Sequence, residues 1–146
     1  TMYGKSIGHG ANLLVNMTPD RTGRIPAAEE KMLLTFGDAV AAHYSKPLLE
    51  VTQPNALGEG EEILLDLGAP TTVAEILLEE DLHYGQRVTA YRVDAQVAGV
   101  WKTVATGESI GRKRIQSFEP VDATAFKLHT APEAHLRRIA LYPTAF

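Results

Sequence analysis

The run Glu79-Glu80-Asp81 is the first candidate for acid–base chemistry, because three carboxylates stand together at the end of a predicted strand. Hydrolysis of a glycosidic bond takes two carboxylates about 5–5.5 Å apart for retention, or about 6.5–9.5 Å apart for inversion. Neighbouring strand residues point to opposite faces, so this run does not aim two carboxyl groups at one bond. We therefore interpret it as a solvated strand end or a structural salt bridge.

Metal and nucleophile chemistry finds no support in the residue types or their spacing. The sequence has no cysteine, which excludes disulfides, thiolate zinc sites and a cysteine nucleophile. No serine stands in a nucleophile elbow, and Gly8-His9-Gly10 lacks the spacing of a phosphate-binding loop. No pair of histidines shows the i, i+4 spacing of a helical metal site, and no acidic cluster has calcium-loop spacing. We expect surface or packing roles for the histidines, which are His9, His43, His83, His129 and His135.

Three groups could contact a ligand without catalysing a reaction. His83 and Tyr84 lie in the polar loop from Asp81 to Gln86, which makes them candidates for weak sugar recognition. Arg112-Lys113-Arg114 could bind an anion, although strand alternation would place Arg112 and Arg114 on one solvated face. Trp101 could stack on a sugar ring, but its place in a predicted strand favours packing on the sheet.

Composition limits the function classes that the chain can belong to. The 146 residues fit one ordinary domain, or one small domain with an attachment. Hydrophobic residues make up 45% and charged residues 22%, which is typical of a globular protein. The net charge of −4 argues against a nucleic-acid or anionic-membrane binder, which would carry a basic excess. No apolar run approaches the roughly 20 residues of a membrane helix, and residues 1–11 do not form a signal peptide.

The first 46 residues predict one strand and one helix. The nearly continuous apolar run Ala11–Asn16 favours a strand covered on both faces, as in a parallel sheet or barrel. Pro26 suits the first helical position, and an apolar stripe at helical spacing predicts a helix from about Ala27 to Tyr44. That stripe consists of Met32, Leu33, Phe36, Val40 and Tyr44. A strand and a helix are half of a βαβ unit, so we expect them to belong to a larger structure.

From Glu61 onward the apolar residues alternate, which predicts about seven short antiparallel strands. Many short strands at this spacing indicate a β-sandwich or jelly roll. We therefore divide the chain into a strand–helix segment over 1–46, a linker over 47–60 and a sandwich over 61–146. The expected strands contain Ile63–Leu67, Ala74–Glu79, Tyr91–Val97, Trp101–Thr106, Ile110–Phe118, Ala125–Thr130 and Arg138–Tyr142.

Two parts of the chain resemble a known enzyme family, and together they cover almost all of it. The first part is Tyr3-Gly4-Lys5-Ser6-Ile7-Gly8-His9-Gly10-Ala11-Asn12-Leu13-Leu14-Val15-Asn16, with Pro19-Asp20-Arg21 and Gly23-Arg24-Ile25-Pro26 after it. It resembles the end of the catalytic barrel in α-L-fucosidases of glycoside hydrolase family 29. The second part is Glu80-Asp81-Leu82, Gly85-Gln86-Arg87-Val88, Trp101-Lys102-Thr103-Val104-Ala105 and Ile110-Gly111-Arg112-Lys113-Arg114-Ile115. It resembles the galactose-binding-like β-sandwich that follows the barrel in bacterial members.

This resemblance implies a mainly β chain, with a galactose-binding-like sandwich preceded by the last strand and helix of a (β/α)8 barrel. The family hydrolyses terminal α-linked L-fucose with retention and uses no metal or organic cofactor. Its two catalytic carboxylates would lie in barrel strands upstream of Thr1, so the resemblance assigns no catalytic residue here. Asn16 would stand at the carboxyl end of the last barrel strand and is a candidate for the pocket wall. Met17-Thr18 departs from the small or apolar residues that relatives have there.

Three hypotheses follow for the function of the chain. The first is the C-terminal part of a retaining α-L-fucosidase with the sandwich as an accessory domain; its partners are the missing barrel and, through the parent enzyme, a fucosylated glycan. The alternative is a stand-alone carbohydrate-binding module, for which His83, Tyr84 and Arg112 are the candidate contacts. The third is a purely structural or interaction domain. The first also predicts that the apolar stripe of the helix is exposed when no barrel covers it.

Overall fold

A computed structural model of the chain describes residues 1–53 and 62–146. Within these ranges the chain forms two α-helices, α1 (Met2–Ser6) and α2 (Ala27–Tyr44), and two 3-10 turns, Ile7–His9 and Leu82–Tyr84. The described strands are β1 (Leu49–Thr52), β2 (Glu62–Glu80), β3 (Tyr91–Val97), β4 (Val100–Gly107), β5 (Arg114–His129) and β6 (Leu136–Tyr142). The mainly β content agrees with the alternating pattern of the sequence. Neither helix is long and apolar enough to cross a membrane.

The six strands form an antiparallel sheet in the order β1-β6-β2-β5-β3-β4, which folds over into two layers. The first layer contains β1, β6, and the parts of β2 and β5 that pair Glu75 with Ser117 and Leu78 with Arg114. The second contains β3, β4, and the parts of β2 and β5 that pair Glu62 with His129. Both layers bury side chains in one core, which confirms the predicted antiparallel sandwich.

Strands β2 and β5 each run through both layers, whereas the sequence predicted two separate strands in place of each. The turn formers around Gly68 and Pro70 suggested a chain reversal between Ile63–Leu67 and Ala74–Glu79. Instead, the pairing shifts register between Asp66 and Thr71, so Pro70 lies where no ladder bond needs its missing N–H. The same explanation covers Pro120, since the paired positions resume on either side of it at Ser117 and Val121. A bulge bends a strand without ending it.

The segment predicted as a linker over 47–60 contains strand β1, which pairs residues Leu49–Thr52 with Leu141–Arg138 of β6. The alternation of four residues directly after Pro47 is too short to distinguish an edge strand from a loop. Residues 54–60 of that segment lie outside the described residues. The division of the chain at 46 and 60 stays a prediction.

Helix α2 begins and ends where the sequence predicted, at Ala27 and Tyr44. The predicted strand Ala11–Asn16 is wrong for this structure, because residues 11–20 take no regular secondary structure and Leu14 is 86% exposed. A strand forms only where a neighbouring strand takes its backbone N–H and C=O groups. Residues 1–53 and 62–146 contribute none to this segment.

Candidate functional site

The outer face of the first layer is covered by α1, the 3-10 turn Ile7–His9 and the C-terminal end of α2. We call this surface the covered face and define it by Glu75, Leu77, Glu79, Ile115, Ser117, Ala140 and Tyr142. At its centre Leu77, Ile115, Ala140 and Tyr142 form a small buried cluster, against which Tyr3 of α1 and Tyr44 of α2 pack. Gly8 comes so close to β5 that an added Cβ would stand 2.9 Å from the Cβ of Ile115. The N-terminal segment therefore docks on the sandwich through close contacts.

Six aromatic rings line this docking surface. Tyr44 stands edge-on to Tyr142 at 5.2 Å between centroids and lies 5.4 Å from Tyr3. His43 stacks on Tyr142 at 5.3 Å. The ring of Phe146 contacts those of His43 and Tyr44 at 5.4 and 5.8 Å. Ring pairs in these geometries add to the free energy of burial, so the cluster fixes α2 against the sheet. The sixth ring is Phe36, 6.4 Å from Tyr3.

Glu75 is a buried acid inside this aromatic cluster, and only 1% of it is exposed. Its Oε1 lies 3.1 Å from Nε2 of His43, and its Oε2 accepts hydrogen bonds from the hydroxyl of Ser117 and the backbone N–H of Phe146. Burial, and then the negative charge of Glu75, raise the pKa of the Tyr44 phenol. Sequence reasoning missed this residue, although a lone carboxylate within the apolar run Val73–Leu78 was a usable signal.

The acidic run Glu79-Glu80-Asp81 is structural throughout, which agrees with the salt-bridge interpretation but not with a solvated strand end. Glu79 binds Nη2 of Arg137 at 2.6 Å and Nζ of Lys113 at 3.4 Å, and it raises the pKa of Arg137. Glu80 accepts from the backbone N–H groups of Arg87, Val88 and Gly111, which fixes two loops. Asp81 accepts from the N–H of His83 and caps the 3-10 turn. All three carboxylates therefore bond to other groups of the chain and have a structural role.

Among residues 1–53 and 62–146, no helix lies over the outer face of the second layer. We call it the open face and define it by Glu62, Leu64, Arg92, Asp94, Trp101, Thr103, Lys127 and His129. Asp94 accepts hydrogen bonds from Thr103 Oγ1 at 2.7 Å and Arg92 Nε at 3.0 Å, and lies 2.9 Å from His129 Nε2. Burial alone would raise the pKa of Asp94, but the bonds from Thr103 and Arg92 outweigh it and hold that pKa below its usual value.

Trp101 lies on this open face with 36% of its surface exposed. The ammonium group of Lys127 stands 4.7 Å from the centre of its ring, a cation–π contact, and also binds Glu62 at 2.7 Å. The ring therefore lies against the side chain of Lys127 and outside the core of the sandwich. The polar groups around it are paired with one another across the strands.

The four predicted ligand contacts do not form one site. His83 and Tyr84 lie together, and Tyr84 is 52% exposed and stacks on His135 at 4.2 Å. Arg112 is exposed at the edge of a cavity of about 100 Å³ that it shares with Ile7, Gly10, Ala11, Asn12 and Lys113. Asn16 is exposed on the irregular segment. The described residues contain no group of three or more side chains that could hold a metal ion.

No family model matches the chain, but it is similar to several known proteins. Among curated proteins it is 27% identical to "Putative alpha-L-fucosidase 1" of Oryza sativa subsp. japonica over 87% of the chain, and 24% identical to alpha-L-fucosidase 1 of Arabidopsis thaliana. Among solved structures it matches 98% of its length to a putative α-L-fucosidase from Bacteroides thetaiotaomicron, with 34% identity and a TM-score of 0.88. A glycoside hydrolase 29 family member from an unknown rumen bacterium matches at 29% identity and a TM-score of 0.83.

The chain spans about a third of the length of these relatives. It covers 30% and 31% of the two plant proteins and 32% and 28% of the two solved chains. The matches include both the N-terminal segment and the sandwich, since they extend over 87–99% of the present chain.

Proposed function

Because this chain is homologous to the C-terminal part of the α-L-fucosidases of glycoside hydrolase family 29, we propose that it serves an enzyme that removes terminal α-L-fucose from glycans. The sandwich is the accessory domain of that enzyme, and the hydrolysis retains configuration at the sugar. The observation that carries this proposal is the 34% identity to a solved relative over 98% of the chain. The resemblance deduced from the sequence is thereby confirmed at the level of the family.

The contacts of the covered face support the accessory role. They involve residues just before the irregular segment, such as Tyr3 and Gly8, and the end of α2, such as His43 and Tyr44. In a barrel, the helix runs antiparallel to its strand, so the start of the strand and the end of the helix lie at the same end of the barrel. That end is opposite the carboxyl ends of the strands, where barrel active sites lie. The sandwich would therefore support the barrel from the end away from the substrate.

Catalysis in this proposal depends on carboxylates outside the present chain. A retaining hydrolase needs one carboxylate as nucleophile and one as acid and base. Glu75, Glu79 and Glu80 do not supply them, because each is buried and bonded within its own chain. Asn16, at the predicted carboxyl end of the last barrel strand, would contribute a side chain to the pocket wall.

Turnover of an aryl α-L-fucoside tests whether catalysis depends on residues outside this chain. We expect hydrolysis by the full-length parent enzyme and none by the 146-residue chain alone. In the parent, Asn16→Ala should lower kcat/KM. Arg112→Ala should leave it within about twofold, because Arg112 lies beside Ala11, at the start of the predicted strand and far from its carboxyl end. Turnover by the isolated chain, or a large loss of kcat/KM in Arg112→Ala, would contradict the proposal.

A second candidate function is sugar binding by the loop that carries His83 and Tyr84. The observation in its favour is the exposed ring of Tyr84, held in place by stacking on His135. Aromatic faces pack against the apolar side of pyranose rings. We would titrate the chain with fucose, galactose and N-acetylglucosamine and follow amide chemical shifts, with Tyr84→Ala as the matched control. Shifts at Leu82–Gly85 that disappear in Tyr84→Ala support this function, and an unchanged spectrum at millimolar sugar rejects it.

A further inference from the structure

Glu75 brings together three segments that are far apart in the sequence. His43 belongs to α2, Ser117 to β5, and Phe146 follows β6. All three place a polar group on the same carboxylate, at 3.1 Å, 3.1 Å and 3.2 Å. The hydroxyl of Ser117 and the backbone N–H of Phe146 donate to this carboxyl group, and Nε2 of His43 lies within hydrogen-bond distance of its other oxygen. Ser117 is part of the sheet, which makes Glu75 and Ser117 a rigid base for the other two segments.

Around Glu75, aromatic rings supply the apolar contacts, and hydrogen bonds to the carboxyl group set the positions of the segments that pack there. The apolar part of the contact comes from rings: Phe146 lies 5.8 Å from Tyr3 and 6.4 Å from Phe36 in addition to its contacts with His43 and Tyr44. Such ring contacts tolerate sliding, since both offset and edge-on arrangements are favourable. Hydrogen bonds to a buried carboxylate have stricter distances and angles. Because Glu75 is only 1% exposed, a segment that shifts away from it leaves a buried oxygen without a compensating hydrogen bond.

We propose that Glu75 is the positioning residue of this contact: it fixes helix α2 and Phe146 together on the covered face, so that neither keeps its place without the carboxylate. The inference rests on the contacts within this chain and holds whether or not the parent is a fucosidase. It assigns Glu75 no role in chemistry. Its consequence is that α2 and the segment after β6 loosen together when Glu75 is replaced.

Native-state hydrogen exchange of the 146-residue chain tests this coupling. We compare the wild type with Glu75→Met, which keeps the side-chain length but removes both acceptors, and Glu75→Gln, which keeps one oxygen. In Glu75→Met we expect exchange of the Phe146 amide and of the last α2 amides, residues 40–44, to accelerate by about tenfold or more. Glu75→Gln should restore part of the protection at both places. Amides of β3 should not change.

The matched control is Glu79→Met, two residues along the same strand and equally buried, whose partners are Arg137 and Lys113. It should leave residues 40–44 and Phe146 within about twofold of the wild type. If Glu75→Met also exposes β3, Ser117→Ala replaces it as the test and should accelerate α2 and Phe146 together by a smaller factor. Unchanged protection at both places, or a change at only one of them, would overturn the proposal.

Discussion

The covered face and the open face of the sandwich are both built from strands β2 and β5, yet their outward side chains differ in burial. On the covered face the central Leu77 is 1% exposed and Glu75 is equally buried. On the open face Leu64 is 54% exposed, and Glu62 is solvated while it pairs with Lys127. The sequence alternation is similar in both parts. What distinguishes them is that α1 and α2 pack on one face only.

The comparison shows that the free-energy cost of losing an ion-pair partner depends on whether the face is covered. On the open face, cross-strand pairs such as Lys127 with Glu62 remain partly in water, where ion pairs contribute little to stability. On the covered face, Glu75 and Glu79 are removed from water, so losing a partner there leaves a polar group without compensation. Matched substitutions on the two faces can therefore test the distinction.

The largest expected effect comes from placing a charge at the centre of each face. Leu77→Asp puts an unpaired carboxylate into the buried cluster with Ile115 and Tyr142, and should lower the free energy of unfolding by about 3–5 kcal/mol. Leu64→Asp, at an exposed position of the same strand, should change it by less than about 0.5 kcal/mol. Urea unfolding measures both. Equal losses would mean that the helices do not distinguish the two faces.

A smaller effect follows from removing an acid from each face. Glu79→Ala deprives Arg137 and Lys113 of their acceptor and should cost about 1–2 kcal/mol. The guanidinium of Arg137 is 62% exposed and can turn to water, which keeps the cost below that of a fully buried pair. Glu62→Ala on the open face should cost less than about 0.5 kcal/mol. A larger loss in Glu62→Ala than in Glu79→Ala would reverse the comparison.

The pH dependence of stability tests the hydrogen-bond network around Asp94 on the open face. Since the folded-state pKa of Asp94 is below its usual value of about 3.9, its ionised form stabilises the fold above that pH. This contribution is lost as the pH falls through the lower folded-state pKa. The difference in Tm between the wild type and Asp94→Asn should therefore be largest near pH 7 and shrink below about pH 4. A difference that stays constant from pH 7 to pH 2 argues against the network around Asp94.

The smallest effect on stability should come from the exposed side chains of α2. Met32 and Leu34 are 58% and 61% exposed, so Met32→Glu with Leu34→Glu should change the free energy of unfolding by less than about 0.5 kcal/mol. Exposed apolar patches promote association, so the double variant should self-associate less at high concentration. Sedimentation velocity compares it with Val100→Glu, an exposed apolar position on β4. Identical self-association of the wild type, the double variant and Val100→Glu would show that the exposed side chains of α2 do not promote association.

Local signals in the sequence determined much of this protein. The spacing from Met32 to Tyr44 predicted α2, because a helix is specified by contacts three and four positions apart, although Pro26 is the N-cap and not the first helical residue. Alternation from Ile63 onward predicted the antiparallel sandwich, and the quoted motifs predicted the family. The run Ala11–Asn16 shows the limit of this reasoning: its apolar character favours a strand, but a strand needs a partner.

Only the tertiary structure decided which surfaces are covered and which charges are buried. Nothing near Gly68 or Pro70 in the sequence reveals that β2 continues through a shift of register, because the pairing partners lie on β5. Likewise Glu75 became the centre of a buried contact through His43, Ser117 and Phe146, which come from three separate segments. Alternation tells which residues share a face of a strand. What lies on that face depends on non-local packing, which the local pattern does not encode.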